Sequence, residues 1–154
     1  FKDGFNTLGV LDCVRKNPNS FKEVLMYHNI KHTAESIAIL FSVKVSEEGT
    51  NKRNQENEVL SYWRDYLVDA EESSSEASLT DILIFATGAD KVPPLGFFPK
   101  LSVKFIHNGD IGKQKLPLGN TCANLLYIPV VNSYELFKSS MDFGILNSPG
   151  FGQV

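Results

Sequence analysis

One thiol stands out among the groups in this chain that could do chemistry. Residues 116–129, Leu-Pro-Leu-Gly-Asn-Thr-Cys-Ala-Asn-Leu-Leu-Tyr-Ile-Pro, place Cys122 after a Pro/Gly-rich loop and before a short apolar run that reads as a buried strand. A cysteine at a loop–strand junction is open to an approaching partner, as a nucleophile must be. A free thiol is already a few per cent ionised near neutral pH, so acyl exchange at such a site needs no strong base. A cysteine before an apolar strand is also often a small buried hydrophobe. Residue type alone leaves both readings open.

The other reactive groups carry less. Cys13 lies within an apolar helical pattern and is expected to be core or inert surface. His28 and His32 are spaced to share a helical face, but Thr33 reads as the next N-cap and puts His32 outside a helix. The glutamate of a zinc-protease motif is missing as well, so no metal site is expected. His107 would reach Cys122 only through the fold, which would make a cysteine hydrolase. The papain-like and caspase-like signatures around the cysteine are absent. Gly150 and Gly152 flank Phe151 without the strand–helix context of a phosphate loop.

Composition sets the outer bounds. A length of 154 residues suits one domain or two small lobes, at roughly 100–200 residues per domain. A net charge of −3 argues against a dedicated nucleic-acid binder. Neither an apolar run of ~18 residues nor a signal-peptide pattern is present, so no membrane association or secretion is expected. Cys13 and Cys122 are then free thiols in a reducing compartment, cytoplasmic and/or nuclear. Phe1 in place of Met suggests a fragment or a processed product.

Helix signals organise the first half. Phe5, Leu8, Leu11 and Val14 recur at helical spacing up to a stop at Pro18. Asn19-Ser20 with Glu23 forms a capping-box pattern before Phe21, Val24 and Leu25, and Thr33 with Ser36 caps a third helix carrying Ile37, Leu40 and Phe41. Residues 46–58 are polar, contain Gly49 and lack any apolar side chain until Val59, so they read as a hinge or exposed connection. Val59, Leu60, Trp63, Tyr66 and Leu67 then mark an amphipathic helix, followed by the acidic, serine-rich stretch 69–78.

The second half reads as α+β. Ser78 and Asp81 cap a helix that Gly88 stops. Pro93, Pro94, Gly96 and Pro99 enforce an irregular loop around Phe97 and Phe98, which are expected to pack, as is Trp63. Leu101, Val103 and Phe105 alternate as a strand, with a turn at 107–110. Leu125 to Val131 predicts a second strand, at an edge because Pro129 cannot donate to a ladder. Asn132 with Glu135 caps a last helix, ended by Gly144.

These residues together resemble the C-terminal lobe of HECT-type ubiquitin ligases. The match runs through Leu116, Pro117, Thr121, Cys122, Asn124, Leu126 and Pro129, the catalytic cysteine segment. It extends to Ile82-Leu83-Ile84-Phe85-Ala86-Thr87-Gly88, Val92-Pro93, Gly96-Phe97, the aromatic Trp63, and Phe151 fourth from the end. Asp81 to Gly88 and Met141-Asp142-Phe143 resemble one branch of that family in particular. The resemblance implies an α+β fold, a small sheet packed with helices, for residues 59–154. A short helical segment, 1–45, would be the end of the N-lobe, and 46–58 the inter-lobe hinge.

It also implies a function. Cys122 would accept ubiquitin from a charged conjugating enzyme as a thioester and pass it to a lysine of a substrate protein, without metal, nucleotide or other cofactor. Asn120 and Thr121 would support the cysteine, Asn124 would hold the loop or bind the developing oxyanion, and Phe151 would dock the lobe or pack locally. Two positions depart from the family pattern. Asn120 stands where many members have histidine, and no acidic residue lies between Phe151 and Val154. The rival reading from another class is a catalytically degenerate HECT-like module that only binds ubiquitin or a protein partner.

Overall fold

The structure, a computed structural model, describes residues 2–26, 31–107 and 116–148, the side chain of Glu23 excepted. Contacts divide the chain into two units, Phe1–Lys31 and His32–Val154.

The first unit holds α1 (Lys2–Thr7), α2 (Val10–Lys16) and α3 (Pro18–Leu25). The single helix expected through Phe5 and Val14 is two helices, because Gly9 takes a left-handed φ of 69° that an α-helix cannot contain. Leu8, expected on the apolar stripe, falls in the break and is 86% exposed. Pro18 does more than stop α2. It opens α3 as the first helical residue behind Asn17, ahead of the predicted Asn19-Ser20 cap, a position where its missing N–H is not needed.

In the second unit, α4 (Ala34–Leu40) starts at the predicted capping box. Thr33 Oγ1 accepts from the Ser36 amide at 3.1 Å, and Ser36 Oγ accepts from the Thr33 amide at 2.9 Å. Glu71 Oε2 accepts a further α4 amide, that of Ala34, at 2.6 Å. A two-residue strand that the sequence did not signal, β1 (Ser42–Val43), follows directly.

The segment 46–58 is largely exposed, as expected, but it is not all connection. Helix α5 (Asn51–Glu71) begins within it, capped by Thr50 Oγ1, which accepts from the Arg53 amide at 3.2 Å. Glu56 is only 3% exposed. Its carboxylate accepts from the Ser46 amide and the Ser46 hydroxyl, both at 2.6 Å, and lies 2.7 Å from His107 Nε2. Burial opposes the charge on Glu56, but the Ser46 bonds and then His107 outweigh it and hold the carboxyl below its ordinary range. Ser46 is thus tied to Glu56, and Glu56 to His107, within the second unit.

The remaining elements are α6 (Leu79–Thr87), β2 (Ser102–Ile106), β3 (Leu118–Asn120), β4 (Leu125–Pro129) and α7 (Tyr134–Leu146). The strands form one sheet in the order β1-β2-β4-β3, with β1, β2 and β4 parallel and β3 antiparallel to β4. Against expectation β4 is interior. The Val130 amide donates to Ile106 on the β2 side, so the nitrogen of Pro129 faces the β3 side. There β3 pairs only with residues 125–127, so its missing N–H breaks no ladder bond.

The expected α+β fold is therefore present, with one core beneath the sheet. Trp63, Tyr66 and Leu67 of α5, Ile82 and Leu83 of α6, and Phe137 and Met141 of α7 pack with Val103, Leu126 and Ile128, all at most 2% exposed. Each large side chain so buried stabilises by about 1.5–3 kcal/mol. Asp142 supplies the buried polar tie: it accepts from Tyr66 Oη at 2.7 Å and from the amides of Ala77 and Glu76 at 3.2 and 3.3 Å. Helix α7 is capped by Ser133, one residue later than predicted, and runs through Gly144 to Leu146.

Candidate functional site

Cys122 sits at the tip of the β3–β4 hairpin. The Ala123 amide donates to the Asn120 carbonyl at 3.2 Å and to Asn120 Oδ1 at 3.1 Å, which closes a β-turn over residues 120–123. Cys122 is the third residue of that turn and is exposed, so its thiol is presented to solvent and is not part of the core. Asn124 follows with a φ of 48°, in the left-handed region that asparagine tolerates better than most side chains.

Four close fits hold the turn. A Cβ on Gly119 would stand 2.1 Å from the Phe85 carbonyl oxygen, so only glycine lets β3 lie on the last turn of α6. A Cβ on Gly144 would stand 2.5 Å from Pro117 Cδ. That contact explains why glycine sits inside α7 and does not end it. At Gly88, the left-handed cap of α6, a Cβ would reach ordinary contact distance, 3.9 Å, from Thr121 Cβ and Cγ2, which places the half-buried Thr121 beside the helix end. Lastly, Asn124 Nδ2 donates to the Pro99 carbonyl at 2.7 Å, and the Ser102 amide donates to the Asn124 carbonyl at 3.0 Å. Asn124 is 7% exposed. Of its two expected roles, this geometry matches holding the loop.

The structure thus brings Asn120, Thr121, Cys122 and Asn124 together, while Phe151 lies outside the described residues. Other groups weighed from sequence fall elsewhere. His107 is paired with Glu56 and follows Ile106, which registers with Pro129 at the far end of β4 from the cysteine turn, so it is not placed as a cysteine-hydrolase base. His32 Nε2 lies 3.2 Å from the Asp90 carbonyl, and His28 is outside the described residues. Cys13 is an exposed residue of α2. Phe98, expected to pack, is 98% exposed, and Leu95 beside it is 94% exposed. Trp63 does pack, edge-on to Phe41 with ring centroids 5.8 Å apart. Among the described residues, no cluster of three or more His, Cys, Asp or Glu is placed to hold a metal, and no helix is long and apolar enough to cross a membrane.

An open groove of about 310 Å³ adjoins the turn, lined by Phe85, Pro117, Gly119, Phe143 and Asn147 among others. Sequence reasoning did not single out Gly119 or Gly144 as packing positions. A glycine in a strand is a general sign of close backbone approach and was the available clue for Gly119.

Residues 50–154 match the model of the HECT-domain (ubiquitin-transferase) family. The chain belongs to the HECT-domain family. It is 35% identical over 148 residues, 96% of its length, to the human G2/M phase-specific E3 ubiquitin-protein ligase. It is 32% identical over 145 residues to the chicken protein of the same name. These agree with the branch resembled by Asp81–Gly88 and Met141–Phe143. A mouse relative, probable E3 ubiquitin-protein ligase HECTD2, is 38% identical over 71 residues, 46% of this chain. The chain spans 19% and 18% of the human and chicken relatives and 9% of the mouse one.

Proposed function

We propose that this chain is the catalytic end of a HECT-type ubiquitin ligase, with Cys122 as the nucleophile. The Cys122 thiolate attacks the thioester carbonyl of a ubiquitin-charged conjugating enzyme. A new C–S bond forms, and the conjugating enzyme's sulfur leaves as thiolate. A lysine amine of the substrate protein then attacks the ubiquitin–Cys122 thioester. An amide bond forms, the C–S bond breaks, and the amine's proton passes to solvent. The first step exchanges one thioester for another and is nearly balanced, whereas the second yields a more stable amide. What the protein must supply is mainly approach geometry.

The observation that carries this reading is an exposed thiol at the tip of a turn fixed on four sides, in a chain whose family is defined by ubiquitin transfer. The partners are ubiquitin, its charged conjugating enzyme and a substrate protein. In this reading residues 59–154 form the C-terminal lobe, 1–45 the end of the preceding lobe and 46–58 the connection between them.

The test is ubiquitin loading of the intact protein from a charged conjugating enzyme, run without reductant. A reducible adduct that is kept in Cys13→Ala and lost in Cys122→Ala supports the ligase. A folded protein that binds ubiquitin but forms no adduct would establish the binding-module alternative.

A further inference from the structure

We propose that the side-chain amide of Asn120 donates a hydrogen bond to the oxyanion that forms when the thioester at Cys122 is made and broken. This rests on the ligase reading above and adds a catalytic donor to it. Both steps pass through a tetrahedral carbon. As the new C–S or C–N bond forms, the carbonyl π pair moves onto oxygen. As the leaving thiolate departs, the pair returns. A donor already aimed at that oxygen lowers both barriers.

The turn fixes which end of the Asn120 amide is available. Its partner in the turn is a donor, the Ala123 N–H, so the atom facing inward is Oδ1. Nδ2 therefore points the other way. Among the described residues it has no hydrogen-bond partner, although Asn120 is held at the end of an edge strand. Asn120 is exposed and lies two residues before the exposed Cys122 on the same closed turn. The other amide of the turn, Asn124, is buried and donates to Pro99. His107, the histidine within the sheet unit's β2 end, is paired with Glu56. Asn120 is thus both anchored and unspent.

The experiment compares two reactions of the same thiol in the intact protein. Ubiquitin carrying a C-terminal mercaptoethanesulfonate thioester reports acyl transfer to Cys122, which generates an oxyanion. Iodoacetamide alkylation of Cys122, in a Cys13→Ala background, reports thiolate supply by a displacement at carbon that generates none. Asn120→Asp keeps an acceptor for the Ala123 amide and removes the donor. Asn120→Ala removes the donor without adding charge.

Loss of an enclosed oxyanion donor costs about 10²–10³ in rate. At this open turn the expected loss is about tenfold in acyl transfer relative to alkylation, in both variants. An unchanged ratio in the alanine variant, with wild-type protein loading normally, would overturn the proposal and leave the ligase reading intact. Wild-type protein that never loads Cys122 would sink both. A drop in the aspartate variant alone would show charge repulsion in place of a lost donor and would also overturn it.

Discussion

At the scale of single residues, the cysteine turn depends on atoms that cannot be exchanged. Gly119 has no room for a methyl group against the Phe85 carbonyl. Gly119→Ala should destabilise by on the order of 2 kcal/mol, and ubiquitin loading should fall while helix content by circular dichroism is kept. Asn124→Ala removes a buried hydrogen bond at a left-handed backbone position. Its expected cost is about 1–3 kcal/mol, read as a lower thermal midpoint, with Asn124→Gly recovering the backbone part. The motif around Cys122 is legible in the sequence because it is built of near neighbours, and a loop-holding role for Asn124 was expected with it. The packing of Gly119 and the Pro99 partner of Asn124 were not legible, because Phe85 and Pro99 lie far from them along the chain and meet them only in the fold.

At the scale of elements, capping signals were readable and burial of charge was not. The boxes at Thr33 and Ser78 are local, built from residues three apart, and both appear where predicted. The break at Gly9 went unread, and Pro18, read as a stop, also starts α3, since a stop and a start can share the same residue type. Glu56 reads as one more solvated charge in a polar stretch until Ser46 and His107 close around it. Its folded carboxyl titrates below the ordinary value of 4.5. Its contribution to stability is therefore complete above that value and is lost as pH falls through the lower folded value. Thermal midpoints measured against pH should drop in that acid window for the wild type. Glu56→Gln should be less stable at neutral pH and flatter across the window. Asp142, on α7, is a second buried carboxylate, bonded to Tyr66 of α5 and to the amides of Glu76 and Ala77. Asp142→Ala strands Tyr66 Oη and two amides and should cost on the order of 3 kcal/mol, against about 1 for Tyr66→Phe in chemical denaturation.

At the scale of the whole molecule, class and family were legible and the order of the strands was not. Alternating and helical periodicities predict an α+β unit, and the structure has one. The order of its strands depends on β1 and β3, which are two and three residues long and too short for any periodicity to announce. The proposed function comes down to one covalent bond. The most direct measurement is peptide mapping by mass spectrometry of the Cys122→Ser protein after exposure to a ubiquitin-charged conjugating enzyme. A serine there would form an oxyester in place of a thioester, resistant to reductant and cleaved by alkali. Ubiquitin found on residue 122 through such a bond is the predicted result. Ubiquitin joined elsewhere by a reducible bond, with residue 122 unmodified, would contradict the account.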